Sequence, residues 1–279
     1  MRASLLQIAV DPDESVESRR RRVAALVRKQ RGADLVVLPE LWPMGAFAYE
    51  LFATEAETPD GPTFEAMSAA ARDAGVWLHA GSIVERVRDG GSDRLFNTSL
   101  VISPAGELVR TYRKIHRFGF DKGEATLMDA GSELVTVALP DTTTGDTTTG
   151  DTTIGLATCY DLRFPELFRG LVDAGAQVLV VPAGWPARRR AHWSLLARAR
   201  AVENQSYVLA CGTAGTHAGV EQAGHSVVVD PWGEVLAEAG NGEEVLTVDL
   251  DPARVALTRE QFPALKDRRL GLPVPPVRD

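Results

Sequence analysis

The chain of 279 residues contains only two cysteines, Cys159 and Cys211. That is too few for a disulfide framework, and it fits a reducing, cytoplasmic setting. CxxC, HxH and HExxH spacings are absent, and the five histidines (His79, His116, His192, His217 and His225) are scattered, so no metal site is expected. Long apolar runs are missing too: no window approaches the roughly 18 residues of a membrane span. The first apolar stretch ends early at Asp11 and Asp13, which excludes a signal peptide as its reading. Positive charge is in short supply, with 30 Lys and Arg against 38 Asp and Glu. The resulting net charge of -8 argues against a nucleic-acid partner, which would need a basic surface.

What is present reads as an α/β protein of one unit, residues 1–279. Hydrophobic residues make up 44% and charged residues 24% of the chain, an ordinary globular balance. Apolar runs at residues 4–10, 34–38, 76–80, 133–139, 154–157, 177–182, 207–211 and 243–250 predict strands. Between several of them lie helical patterns at 16–29, 63–74 (capped by Thr63), 168–174 and 192–204. Residues 97–102 and 107–112 flank a Ser-Pro-Ala-Gly turn and predict a hairpin, as do the runs on either side of Asp230-Pro-Trp-Gly233. Alternating strands and helices with inserted hairpins imply a layered fold. A pentad of Asp, Thr and Gly repeats over residues 141–153. It cannot bury a core and is expected to be an exposed, dispensable loop insertion. The loop Gly212-Thr-Ala-Gly215 lacks the Lys-Ser or Lys-Thr of a phosphate loop.

Three polar residues follow buried strands or a hairpin, where open α/β sheets place their chemistry. Cys159 lies between the apolar run 154–157 and a helix start at Pro165-Glu166. A thiol near a helix N-terminus meets unpaired N–H groups and the positive end of the dipole, both favouring thiolate. Glu40 follows Leu-Val-Val-Leu-Pro, and Lys114 lies in Tyr-Arg-Lys-Ile-His just after the predicted hairpin. Each has an ordinary alternative: a buried small hydrophobe for the cysteine, a solvated loop carboxylate, a surface lysine. Cys211, inside an apolar run, reads as core.

Leu-Pro-Glu40, Tyr-Arg-Lys114-Ile-His and Cys159-Tyr-Asp-Leu-Arg-Phe-Pro-Glu, in that order, resemble the three signature blocks of the nitrilase superfamily of carbon–nitrogen hydrolases. The likeness extends through Ala-Arg-Ala-Val-Glu-Asn204-Gln and Gly-His-Ser-Val-Val-Val-Asp-Pro-Trp-Gly233, and so over essentially the whole chain. It implies a four-layer αββα sandwich of two sheets and assembly into homodimers or larger homo-oligomers. It implies Glu40 as general base, Lys114 as oxyanion stabiliser and Cys159 as nucleophile, with the backbone N–H of Tyr160 as a second oxyanion donor. No cofactor is called for. A second glutamate common in such proteins matches Glu124, with Asp129 as the alternative position.

The cysteine block followed by a Trp-Pro loop and Ala-His-Trp193 is most similar to the ω-amidase and deaminated-glutathione amidase branch. The substrate implied is a small amide bearing a carboxylate. Arg163 and Arg188, the latter within Arg188-Arg-Arg190, would clamp that carboxylate, and Trp185 would shape the pocket. A nitrilase or N-carbamoyl amine hydrolase on the same scaffold is the competing reading. A non-catalytic binding protein would have lost one of the three residues, and none is missing.

Overall fold

Consecutive residues of the central strands are buried on both sides, and this decides the architecture. In the computed structural model, which describes residues 1–89, 91–140 and 151–271, Leu5 and Leu6 of β1 (Arg2–Gln7) are both fully buried yet belong to different apolar clusters. The same split separates Leu35 and Val37 from Val36 in β2 (Leu35–Val37). Side chains alternate across a strand, so a continuous apolar run requires a sheet covered on both faces.

One sheet contains β1 and β2 with β3 (Trp77–Asp89), β4 (Ser92–Ile102) and β5 (Leu108–Arg113), and β14 (Glu244–Asp249) closes its other edge, in the order β14-β1-β2-β3-β4-β5. The second sheet is built from β6 (Thr136–Leu139), β7 (Thr152–Leu156), β8 (Val178–Ala183), β9 (Tyr207–Gly212), β12 (Val227–Val229) and β13 (Val235–Glu238), in the order β13-β12-β9-β8-β7-β6. A separate small hairpin pairs β10 (Thr216–His217) with β11 (Val220–Glu221). Each sheet is mixed. β1, β2 and β3 run parallel at the centre of the first, β7, β8 and β9 at the centre of the second, and the flanking pairs are antiparallel.

Helices α1 (Val16–Arg28) and α2 (Pro62–Ala74) pack Val23, Val27, Met67 and Ala71 against Leu6, Val36 and Leu78 of the first sheet. After β5 comes the single turn α3 (Glu124–Leu127). The outer face of the second sheet carries α4 (Pro165–Asp173) and α5 (Arg190–Asn204). Phe168, Leu171, Trp193 and Ala197 of the last two cover Leu179 and Val208 of the second sheet. A third cluster joins the sheets face to face, with Leu5, Leu35 and Val37 against Leu156, Val178, Val180 and Leu209. The result is the four-layer αββα sandwich expected. Cys211 lies in the middle cluster, fully buried, its thiol donating to the carbonyls of Leu6 and Val37.

Several boundaries differ from the sequence pattern. The hairpin predicted from residue 97 begins with a longer pair, because β3 continues to Asp89 and β4 starts at Ser92. The polar stretch between them hides the alternation, but it pairs across the strands through Arg86 and Asp93. Helix α2 is capped by Gly61 and not by Thr63, whose N–H and hydroxyl both go to Glu57. The final helix α6 (Ala253–Gln261), which sends Val255 into the middle layer, carries too weak an apolar stripe to be read from the sequence. The Asp-Thr-Gly repeat lies between the antiparallel partners β6 and β7, and its residues 141–150 are outside the described residues.

A bulge in β3 connects this frame to Glu40. The register of β3 and β4 shifts between His79 and Ser82. There the His79 carbonyl receives Leu38 N–H at 2.9 Å, the Ser82 hydroxyl receives Leu41 N–H at 3.0 Å, and the Ala80 carbonyl receives the Trp42 indole at 2.9 Å. Gly81 makes the approach possible, with φ of 67° and a virtual Cβ only 2.0 Å from the Pro39 carbonyl oxygen. Gly81→Ala is therefore expected to cost about 2–4 kcal/mol of stability, from left-handed strain plus overpacking. It should also displace Pro39 and Glu40, so that activity falls together with the denaturation midpoint. An unchanged midpoint in urea would contradict this account.

Candidate active site

Four chain segments deliver the polar residues of the site to one end of the two sheets. Glu40 follows β2, Lys114 follows β5, Cys159 follows β7, and Gly184 follows β8. Cys159 opens a short 3₁₀ turn, Cys159–Arg163, with φ of 47°. That left-handed backbone is unusual for a residue with a side chain and costs of order 1–2 kcal/mol unless its surroundings hold it. The holding residue is Asp161. Its fully buried carboxylate accepts Thr158 N–H at 2.8 Å, the Tyr112 hydroxyl at 2.7 Å and His116 N–H at 2.9 Å, binding the cysteine turn to the residues on either side of Lys114.

The three residues distant in sequence meet with a fourth. Lys114 Nζ stands 2.7 Å from Glu40 Oε1 and 2.6 Å from Glu124 Oε2. All of these side chains are nearly or fully buried, as is Cys159 at 7% exposure. Glu40 Oε2 accepts Gly184 N–H at 2.8 Å, and Cys159 Sγ lies 3.8 Å from the Gly184 carbonyl. Asp129, the alternative to Glu124, is instead paired with Arg94 at a half-exposed position. The second glutamate thus reaches the cluster from the start of α3, and Phe118 N–H donates to it at 2.8 Å.

Burial dominates the electrostatics. It raises the Glu40 pKa above the usual carboxylate range, reinforced by the charge of Glu124 and opposed by Lys114. Burial alone would lower Lys114, but Glu124 and Glu40 outweigh it and keep the ammonium charged well beyond its ordinary range. Burial, with the negative charge of Glu40 beside it, also holds the Cys159 proton on sulfur. The thiolate expected from a helix start is therefore not the resting form. The turn after Cys159 is too short to supply a strong dipole, and a desolvated sulfur beside a carboxylate favours the neutral thiol. A neutral thiol needs an adjacent proton acceptor to act as a nucleophile, and Glu40 is the carboxylate beside it.

A chamber of about 380 Å³, including its open mouth, is lined by Glu40, Lys114, Glu124 and Cys159 at its base. Tyr160 lines it beside Cys159, so its backbone N–H belongs to the same turn as the sulfur. Aromatic residues Phe47, Tyr49, Phe118 and Trp185 form its walls. Two guanidinium groups sit at the rim: Arg163 lies 5.0 Å over the Trp185 ring, and Arg189 lies 5.1 Å over Phe118. Arg163 also contacts His192 Nδ1 at 3.2 Å. Arg188, predicted from the arginine run, lines the outer vestibule with Asp121 and Lys122 and does not line the inner chamber, while its neighbour Arg189 lines both. A one-residue difference within Arg188-Arg-Arg190 could not be resolved without the 3₁₀ turn Ala187–Arg189 and the bond from the Trp185 indole to the Arg189 carbonyl. Asn97, Tyr49 and Gly184 were also not singled out by the sequence, since none carries a chemical signature outside its fold.

A model of the carbon–nitrogen hydrolase family matches residues 2–260. The 2-oxoglutaramate amidase of Paenarthrobacter nicotinovorans is 42% identical over 267 residues, spanning 96% of this chain and 89% of that protein. Omega-amidase NIT2 of Mus musculus is 37% identical over 281 residues, spanning 97% and 96%. The crystal structure of Saccharomyces cerevisiae Nit3, a member of branch 10 of the nitrilase superfamily, superimposes with a TM-score of 0.82 at 32% identity, covering 97% of each chain. A buried cysteine beside a glutamate–lysine pair, on an αββα frame matched from residue 2 to residue 260, makes this chain a member of the carbon–nitrogen hydrolase family of the nitrilase superfamily.

Proposed function

We propose that the protein hydrolyses the amide of a small carboxylate-bearing acid, releasing ammonia through a thioester on Cys159. The observation that carries this reading is the closed contact of Glu40, Lys114 and Glu124 beside the Cys159 thiol, beneath a rim bearing Arg163 and Arg189. The 2-oxoglutaramate amidase and omega-amidase names of the relatives support the same class.

In this mechanism Glu40 takes the thiol proton as sulfur attacks the amide carbonyl. The Lys114 ammonium has three protons; two are committed to Glu40 and Glu124, and the third is left for the developing oxyanion, alongside Tyr160 N–H. Glu40 returns its proton to the departing nitrogen, and ammonia leaves. Water, deprotonated by the same carboxylate, then attacks the thioester, and the free acid and the thiol are regenerated. Glu124 keeps Lys114 in place through both steps. The guanidinium groups of Arg163 and Arg189 receive the distal carboxylate of the substrate, which a chain of net charge -8 could not otherwise attract.

A homo-oligomer is proposed as well. Val202 of α5, Trp232 and Phe262 are all about half exposed and lie together, Trp232 and Phe262 with ring centroids 6.2 Å apart. A cytoplasmic setting suits the two unpaired thiols.

Three outcomes test the reading. Cys159→Ala should abolish ammonia release from 2-oxoglutaramate or succinamate; activity equal to wild type would end the proposal. Because the Glu40 carboxylate is the active form and its pKa is raised, kcat/KM should climb with pH along an acid limb lying above the ordinary carboxylate range. A limb near pH 4 would remove Glu40 as the base. Arg189→Ala should raise KM for succinamate about 10–100-fold, the loss expected for one charge-assisted carboxylate contact, while hydrolysis of uncharged propionamide changes little. Equal effects on both substrates would show that Arg189 does not read the carboxylate.

A further inference from the structure

Asn97, on β4, contacts every member of the charged cluster. Its side-chain nitrogen donates to Glu40 Oε1 at 2.9 Å and to Glu124 Oε1 at 2.5 Å, and its backbone carbonyl accepts Lys114 N–H at 2.8 Å. Lys114 Nζ bridges the same two glutamates from the other side. The four side chains form a closed ring in which each carboxylate is held by one ammonium and one amide. Asn97 is 2% exposed, and among the described residues its buried Oδ1 has no hydrogen-bond partner. Its carbonyl oxygen contributes nothing to the cluster, whereas its NH₂ group donates to a charged oxygen on each glutamate. The amide is there for its two N–H groups.

We propose that Asn97 is a positioning residue that sets Glu40 and Glu124 on either side of Lys114 and stabilises the carboxylate of Glu40. The inference rests on the catalytic reading of Glu40 given above. Burial and the nearby charge of Glu124 both favour a proton on Glu40, against Lys114. A second cation in place of Asn97 would hold Glu40 as carboxylate too firmly for it to accept a proton from sulfur. A neutral amide stabilises the charged form without adding charge, and its planar NH₂ group fixes one oxygen of each glutamate. Glu40 is then held through three donors, Lys114, Asn97 and Gly184 N–H, which leaves its remaining lone pair for the thiol. The other titratable groups facing the pair are Cys159, from the turn after β7, and Tyr49, from the loop before α2.

The test measures kcat and KM for succinamate hydrolysis between pH 5 and 9, with melting temperatures, for Asn97→Leu, Asn97→Ser and Asn97→Asp beside Glu40→Gln. Asn97→Leu should lower kcat about 10–100-fold with KM nearly unchanged, as expected for a displaced catalytic group. It should also move the acid limb to higher pH. Asn97→Ser, which keeps one donor, should fall between Asn97→Leu and wild type, and it carries the test if the leucine variant does not fold. Asn97→Asp, adding a third carboxyl group, should move the limb further still. Variants that keep the wild-type pH profile and kcat, or lose only melting temperature, would overturn the proposal. If they do so while Glu40→Gln is inactive, only the role of Asn97 fails. Full activity in Glu40→Gln would remove the catalytic reading itself.

Discussion

The interaction on which the site depends is one buried ammonium shared by two buried carboxylates. Removing three charges from water is costly, and near-ideal geometry with further donors is what offsets it. Lys114 is 2.7 and 2.6 Å from its partners; Gly184 N–H meets the other oxygen of Glu40 and Asn97 the other oxygen of Glu124, while Asn97 and Phe118 N–H also donate to the oxygens that Lys114 holds. The same low-polarity surroundings that make the cluster expensive also make it useful. They raise Glu40 towards the range of a working base and keep Lys114 charged where an oxyanion would form.

The rest of the fold reads as support for that contact. The β3 bulge at Gly81 fixes the chain around Glu40 from one side. Asp161 fixes Cys159 in its left-handed turn and joins it to Tyr112 and His116, the residues that bracket Lys114. The two anchors belong to different sheets. The face-to-face packing of Leu5, Leu35 and Val37 on Leu156, Val178 and Val180 is therefore what brings Glu40 and Cys159 together. A loss of packing in the middle layer would be felt at the sulfur through Tyr112, which belongs to that layer and bonds to Asp161.

Among the described residues, the resting sulfur is a thiol held by burial and by Glu40, and not a thiolate created by a helix terminus. This changes how the cysteine works. In the mechanism proposed, this thiol ionises only as the neighbouring carboxylate takes its proton, and its 7% exposure shields it from solvent. Phe47, Phe118 and Trp185 give the chamber aromatic walls, and the guanidinium groups over two of those rings place positive charge at its mouth.

The amino-acid sequence by itself determined the layers and three of the four charged or nucleophilic residues at the chamber base. Unbroken apolar runs such as 34–38 and 177–182 can only be strands covered on both faces, and the motifs around Glu40, Lys114 and Cys159 stand at strand ends that the same runs define. Glu124 was legible only through family likeness, because its loop has no periodicity and Asp129 offers the same chemistry five residues on. Tertiary structure alone decided between them, turning Glu124 inwards to Lys114 and Asp129 outwards to Arg94. It also chose Arg189 over Arg188 at the inner rim and brought Asn97 between the glutamates. The physical reason is the same in each case. Apolar periodicity records which face of an element is buried, but which polar group reaches a given carboxylate depends on angstrom-scale distances between segments as far as 144 positions apart, and no local pattern encodes those.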